Sequence, residues 1–352
     1  MEIMDVFKRA IEKKASDIFI IAGRPVSFKI LGDIVTFEDE ILTADDTYKI
    51  IKDIFRIADE KDLSILETKG DVDFSFSLSG LGRFRVSAYK QRNSYAAVIR
   101  VVFFDLPDPE KLGIPEVVMN LYKKTKGLIL ITGPAGSGKS TTLACIIDKI
   151  NMERNCHIMT FEDPIEFIHR HKKSIVSQRE INTDTESYVS CLRSALRQAP
   201  DVLLIGEMRD LETIEIALTA AETGHLVLST LHTTGAANTI DRIIDVFPSN
   251  QQQQVRIQLS MQLQAVISQH LIPSPVLGRV AAFEIMLTNN AVANLIRESK
   301  VHQLNSIIYS SEYMGMKAMD ASILELYQKG LITRENALLY ATEPDSLIKY
   351  LQ

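Results

Sequence analysis

The chain has 352 residues, a formal net charge of −6, 46% hydrophobic and 24% charged residues, a globular composition with enough length for two or three domains and a core that needs no staples. The acidity is mild and no Lys/Arg block interrupts it, which argues against nucleic-acid phosphates as a partner and against a basic membrane-binding tail. Cys145, Cys156 and Cys191 form no C-x-x-C pair and no apolar run reaches a membrane span, so a secreted disulfide scaffold, a four-cysteine zinc site and a transmembrane anchor are all unsupported and a reducing cytoplasm is expected.

From the start, the charged stretch Met1 to Lys14 is amphipathic rather than signal-like, with Ile3, Phe7, Ala10 and Ile11 on one helical face. Ile18 to Ile21 reads as a strand stopped by Gly23 and Pro25, and further strands are expected at Phe28 to Leu31, Val72 to Phe76, Phe84 to Tyr89 and Ala96 to Phe103. A helical stretch, Ala44 to Ala58, lies among them. This is an α+β module over residues 1–105. Leu106-Pro107-Asp108-Pro109, with Gly113 and Pro115, breaks both periodicities and marks 106–115 as an interdomain linker and a plausible hinge.

Over residues 116–352 strands alternate with helices, the pattern of a parallel sheet covered on both faces. The strands are short apolar runs: Leu128 to Ile131, His157 to Phe161, Val202 to Ile205 and Leu226 to Ser229. Asp210 is placed to cap a helix from Leu211 to Thr223, with Gly224 as its stop. Beyond Gln251 the chain reads as mainly helical, with one strand at Arg279 to Met286.

Gly133-Pro134-Ala135-Gly136-Ser137-Gly138-Lys139-Ser140 fits G-x-x-x-x-G-K-[S/T] between a strand and a helix. Its glycines let backbone N–H groups wrap a phosphate chain at a helix N-terminus. Lys139 would reach the β- and γ-phosphates, the Ser140 hydroxyl would ligate Mg²⁺, and Thr141 continues the loop into the helix. After the apolar strand 202–205 comes Glu207, a carboxylate suited to Mg²⁺ or its water shell. Glu162-Asp163-Pro164-Ile165-Glu166 ends another strand at the same carboxyl edge, and one of its acids could orient an attacking water. Spacing does not choose among the three.

His225 and His232 bracket the strand beginning at Leu226, and His232 could touch a γ-phosphate, although an isolated histidine more often serves a structural hydrogen bond. His169 and His171, beside Lys172 and Lys173, read as a solvated loop, with no metal expected beyond Mg²⁺. In the first module Arg83, Arg85, Arg92 and Arg100 lie on or beside strands, usually a charged outer face, but also a source of an arginine supplied in trans. The pattern [N/T]-K-x-D falls only at Thr68 to Asp71, upstream of the phosphate loop and in the wrong order for a GTPase. ATP is preferred.

These residues closely resemble the PilT-type retraction ATPases of type IV pili, within the larger family of secretion and pilus motor ATPases. The resemblance runs nearly end to end: Ala15-Ser16-Asp17, Gly82-Arg83-Phe84-Arg85-Val86, the phosphate loop, 162–166, Gly206 to Thr213, Thr223 to Leu226, Thr230 to Thr234 and Asp241 to Pro248. It implies a PAS-like N-terminal domain, a RecA-like ATPase domain, and a homohexameric ring that binds Mg²⁺ and ATP between neighbours. It also implies that Glu166 is the catalytic glutamate, that Glu207 is the Mg²⁺-side carboxylate, and that His225 and His232 belong to a histidine box. Arginines of the N-terminal domain, Arg83, Arg85 and Arg100, complete the site.

The missing four-cysteine zinc element and the run Ala291 to Glu298, similar to A-I-R-N-L-I-R-E, favour retraction over extension or secretion. Ala293 departs from that run's first arginine, and Phe19 stands where relatives carry histidine. The expected partners are an inner-membrane platform protein and, indirectly, pilin, with no nucleic acid; the expected place is the cytoplasmic face of the inner membrane. The rival readings are an extension or secretion motor, a nucleotide-binding regulator without turnover, and a RecA-like DNA motor.

Overall fold

The computed structural model describes residues 2–30, 32–58, 61–78, 80–102 and 106–351. Contacts divide the chain into two compact units, residues 1–105 with 166–168 and residues 106–165 with 169–352. Leu31 and Phe103, the ends of two expected strands, and the expected domain boundary at Asp105 lie outside the described residues.

In the first unit the helices α1 (Ile3–Glu12), α2 (Ala44–Ile57) and α3 (Ser64–Lys69) accompany six strands: β1 (Asp17–Ile20), β2 (Ser27–Ile30), β3 (Asp33–Thr36), β4 (Asp71–Leu78), β5 (Gly82–Gln91) and β6 (Ser94–Val102). The strands form an antiparallel sheet in the order β3-β2-β1-β6-β5-β4. Alternation along β4, β5 and β6 sends Phe74, Phe76, Phe84, Val86, Ile99 and Val101 into one core with Phe7, Ile51 and Ile54 from the helices. Phe7 and Phe84 have ring centroids 4.4 Å apart, an aromatic contact that adds to the burial of both. The other face carries the polar residues of the same strands. The sequence reading omitted β3 and α3. All four residues of β3 are exposed and it pairs on one side alone, so no alternation of burial announced it.

The second unit is built on a seven-stranded sheet, ordered β13-β12-β7-β11-β10-β8-β9. Its strands are β7 (Gly127–Thr132), β8 (His157–Glu162), β9 (Ile175–Glu180), β10 (Val202–Ile205), β11 (Leu226–Leu231), β12 (Leu263–Ser274) and β13 (Gly278–Leu287). Neighbours from β12 to β9 run parallel and β13 is antiparallel. Helices α4 (Glu116–Met119), α5 (Lys139–Glu153), α6 (Tyr188–Ala195), α7 (Leu211–Glu222), α8 (Ala236–Asp245) and α9 (Ser249–Gln262) connect them, and α10 (Asn290–Arg297), α11 (Leu304–Ser310), α12 (Met319–Gln328), α13 (Arg334–Tyr340) and α14 (Pro344–Leu347) follow.

Successive residues of β7 enter two different cores: Leu128 and Leu130 pack with α7, α8 and α9, whereas Ile129 and Ile131 pack with α5. Burial on both faces is why these strands read as continuous apolar runs. One expectation needs correction. The stretch after Gln251 is less helical than expected, because β12 follows α9 with no turn between them and supplies an interior strand. Residues 106–115 group with the second unit: Ile114 is buried in the core that holds Leu121 and Ile146, and its N–H donates to the Pro109 carbonyl at 3.0 Å. No helix among the described residues is long and apolar enough to cross a membrane.

Candidate active site

The phosphate-loop motif occupies the turn from β7 into α5, as expected. Gly138 is the helix N-cap with φ +89°, and Gly133 has φ +138°. Gly133 excludes a side chain sterically as well, since a methyl group there would lie 2.2 Å from the Gln269 carbonyl oxygen; one at Gly138 would lie 2.8 Å from Gln269 Nε2 and displace that amide. Gln269 of β12 also accepts a hydrogen bond from the Thr142 hydroxyl at 2.8 Å. It thereby ties the first turn of α5 to the neighbouring strand.

Pro134, Ala135 and Gly136 form the exposed crest of the loop, and Ser140 and Thr141 sit half-buried on α5. Lys139 is buried to 7% exposure, and its ammonium donates to the carbonyl oxygens of Gly133 and Pro134, each at 2.9 Å. The Ser137 hydroxyl is buried without a hydrogen-bond partner among the described residues. A buried cation, a buried hydroxyl and a helix start together suit an anionic ligand rich in oxygen acceptors.

Glu207 follows β10 at the same carboxyl edge, separated from β7 by β11, a spacing of about 10 Å. Its backbone is held on both sides: the Thr230 hydroxyl donates to the Gly206 carbonyl at 2.6 Å, and the Met208 N–H donates to the Thr230 carbonyl at 3.1 Å. The Glu207 carboxylate pairs with Arg209 at 2.7 Å and lies 3.3 Å from His232 Nε2. The structure therefore brings Glu207 and His232 together, beside an open pocket of about 290 Å³ also lined by Arg209, Thr233 and Arg242.

His225 is elsewhere. It precedes β11, with Nδ1 2.9 Å from the Ala220 carbonyl oxygen and 3.2 Å from the Thr223 hydroxyl. The extended strand between them holds His225 and His232 roughly 20 Å apart, so within one chain the fold does not bring His225 to the phosphate loop.

In the acidic run, Glu162 accepts from the Thr160 hydroxyl at 2.6 Å and from Gln178 Nε2 at 3.3 Å. The next peptide bond but one, Asp163-Pro164, is cis, and the Ile165 N–H donates to the buried Glu180 carboxylate at 3.0 Å. Glu166 is exposed and falls in the segment that groups with the first unit. Among the described residues no group of His, Cys, Asp and Glu could by itself hold a metal ion.

Arg83, Arg85 and Arg100 share the outward face of the first unit's sheet. Arg85 and Arg100 are directly paired across β5 and β6, and Arg83 is two residues along. The Arg83 guanidinium donates to the Ser75 hydroxyl at 2.8 Å and to the Ser77 hydroxyl at 3.3 Å, and Arg100 pairs with Asp17 at 3.3 Å. Asp17 offsets part of the positive charge that these three arginines place on one face.

Sequence reasoning missed Tyr188 and Gln269. Burial, with the charges of Glu207, Asp163 and Glu162 around it, pushes the Tyr188 phenol far above its ordinary range, so it stays a hydrogen-bond donor. Its oxygen would lie 2.8 Å from a methyl group at Gly206, which is why the residue before Glu207 is glycine. No local pattern could have revealed either residue, because Gln269 reaches the loop through sheet order and Tyr188 through the packing of α6 against the core.

Strand order, phosphate loop and the Glu207 edge define a RecA-like phosphate-loop ATPase. The chain belongs to the Type II/IV secretion system protein family, whose model matches residues 1–338. It is 47% identical over 347 residues to the type IV pilus retractation ATPase PilT of Pseudomonas aeruginosa, covering 98% of this chain and 100% of that protein. It is 50% identical over 278 residues to a twitching motility protein of Neisseria gonorrhoeae, covering 79% and 74%. Among solved structures, the crystal structure of the pilus retraction motor PilT with bound ADP superposes with a TM-score of 0.90 at 49% identity, covering 99% of both chains. The ATPase DotB of Legionella pneumophila follows at 0.78 and 28% identity, covering 96% of this chain and 94% of that one.

Proposed function

We propose that this chain is the ATP-hydrolysing motor of pilus retraction, acting as a homohexamer against an inner-membrane platform protein and, through it, on pilin. Its place of action is the cytoplasmic face of the inner membrane. The observation that carries the reading is a complete phosphate-loop site on a chain 47% identical, end to end, to a pilus retractation ATPase.

In this reading Gly133 to Gly138 wrap the phosphates of ATP with their N–H groups, and Lys139 turns its ammonium from two carbonyls toward the β- and γ-oxygens. The fit rests on the buried Lys139 charge and the unpartnered Ser137 hydroxyl. Ser140 and Glu207 would hold Mg²⁺, which when bound neutralises charge on the phosphates. Glu166 orients and deprotonates the attacking water, a role worth ~10²–10⁴-fold. His232, fixed beside Glu207, reads the γ-phosphate, whereas His225 braces the α7–β11 turn of its own chain. Arg83, Arg85 and Arg100 reach the site of a neighbouring copy.

The test uses the purified chain. Wild type turns over Mg²⁺-ATP; Lys139→Ala loses nucleotide affinity by roughly 10- to 150-fold, the equivalent of ~1.5–3 kcal/mol for charge-assisted bonds. Glu166→Ala keeps nucleotide affinity and loses most turnover, and full turnover in that variant would remove Glu166 from the role of base.

A further inference from the structure

We infer that Glu284 of β13 is a positioning residue for His232, acting through a clamp that it forms with Ser268 on the start of α8. The inference rests on the reading that His232 serves ATP turnover. Ser268 of β12 and Glu284 of β13 are directly paired across the sheet. Ser268 Oγ accepts the Gly235 N–H at 3.0 Å, and Glu284 Oε1 accepts the Ala236 N–H at 2.7 Å. These N–H groups open α8, whose N-cap is Gly235 and so has no side chain to satisfy them. Glu284, from 48 residues further along, supplies the cap that the local sequence lacks.

Strand register shows what the clamp controls. Leu231 of β11 is paired with Thr132 of β7, and Thr132 with Ser268 of β12. The segment from His232 to Gly235 therefore starts at the end of β11, crosses the end of β7 where the phosphate loop begins, and is caught at β12 and β13. It is also tied to α8, because Asn238 Nδ2 donates to the Thr234 carbonyl at 2.9 Å and the Thr233 and Thr239 hydroxyls are 2.7 Å apart. Segment and helix start form one piece; its polar anchorage to the sheet runs through Ser268 and Glu284, beside the packing of Ala236 and Ile240 in the core that holds Leu128 and Val266.

Glu284 is 8% exposed. Burial raises its carboxyl pKa, the Ala236 N–H opposes the shift, and the charge of nearby Asp320 adds to it. The clamp is backed from behind by the C-terminal helices: the Phe283 N–H donates to the Ser322 hydroxyl of α12 at 3.0 Å, and Asp320 accepts the Thr342 and Glu343 N–H groups at 2.6 and 2.9 Å.

The experiment compares wild type, Glu284→Ala, Glu284→Gln, His232→Ala and the Glu284→Ala/His232→Ala double variant of the full chain. Amide hydrogen exchange without nucleotide is the first readout. Glu284→Ala should speed exchange at residues 232–236 about tenfold or more while β11 stays protected, and Glu284→Gln, whose amide oxygen can still accept, should stay near wild type. Unchanged exchange at 232–236 in Glu284→Ala overturns the clamp.

Steady-state turnover is the second readout. Glu284→Ala should lower kcat about tenfold or more with KM within about threefold, as a misplaced catalytic group does. Glu284→Gln should restore most of the rate, and the double variant should be no slower than His232→Ala. Independent, multiplying losses in the double variant would overturn the coupling to His232. A wild type that never turns over ATP, with exchange responding as described, leaves the clamp standing and removes the ATPase reading.

Discussion

His169 carries a buried ring whose Nδ1 has no hydrogen-bond partner among the described residues, although its backbone N–H donates to Gln178 Oε1 at 2.7 Å. Burial pushes its pKa down from 6.5 to about 4, with Asp148 raising it and Lys172 lowering it to smaller extents. The unfolded chain therefore binds a proton between pH 4 and 6.5 that the folded chain refuses, so this contribution to stability is complete above pH 6.5 and disappears as pH falls toward 4. Its size is at most about 3 kcal/mol. Urea unfolding at pH 7 and at pH 4.5 should show most of that loss in wild type and a smaller one in His169→Gln; equal pH dependence in the two proteins would refute the assignment. The sequence reading placed His169 and His171 together in solvent. His171 is exposed, its Nδ1 accepting the Val176 N–H at 3.0 Å. His169 is buried because Asn151 of α5 takes hold of the loop, donating to the Arg170 carbonyl at 2.7 Å and accepting from the Lys172 N–H at 3.1 Å. That anchorage is tertiary and leaves no periodic trace in the loop.

Elements with their own punctuation were legible. Asp210 caps α7, accepting the Thr213 N–H and the Thr213 hydroxyl, each at 2.9 Å, and Gly224 follows the helix end as read. Asp210→Ala should cost about 1 kcal/mol, seen as a lower urea midpoint at unchanged slope, and an unaltered midpoint would mean that the cap is redundant. The phosphate loop was legible for the same reason, since strand, glycines, lysine and helix are contiguous. By contrast, β12 was lost because Gln262 and Leu263 pass from helix to strand with no Gly or Pro between them. Its residues Ala265, Val266 and Ile267 are as apolar as a buried helix would require. Strand β9 was lost as an edge strand with half of its residues partly exposed. With β12 went Gln269 and Ser268, and with them the reason for Gly133, Gly138 and the placement of α8.

At the scale of the whole molecule, the residues assigned to one reaction sit on two compact units, with Lys139, Glu207 and His232 on the second and Arg83, Arg85 and Arg100 on the first. The arginines were assigned to the site through resemblance, since strand spacing alone makes them a charged outer face. The proposed completion of each site by a neighbouring copy makes a quantitative prediction. Lys139→Ala spoils the loop of its own chain but leaves its arginines intact, and a triple Arg83→Ala/Arg85→Ala/Arg100→Ala chain has the opposite defect. Each protein alone should be nearly inactive. Mixed in equal amounts and allowed to exchange subunits, the two should recover about one quarter of wild-type turnover, because a site then needs an intact loop and, independently, an intact neighbour. If each chain instead completed its own site, no mixture would contain a functional one and the rate would stay at the sum of the two parents. Dilution should act the same way: turnover per chain falls once neighbours dissociate, and a rate independent of concentration down to the dissociated chain would mean that no neighbouring copy completes the site.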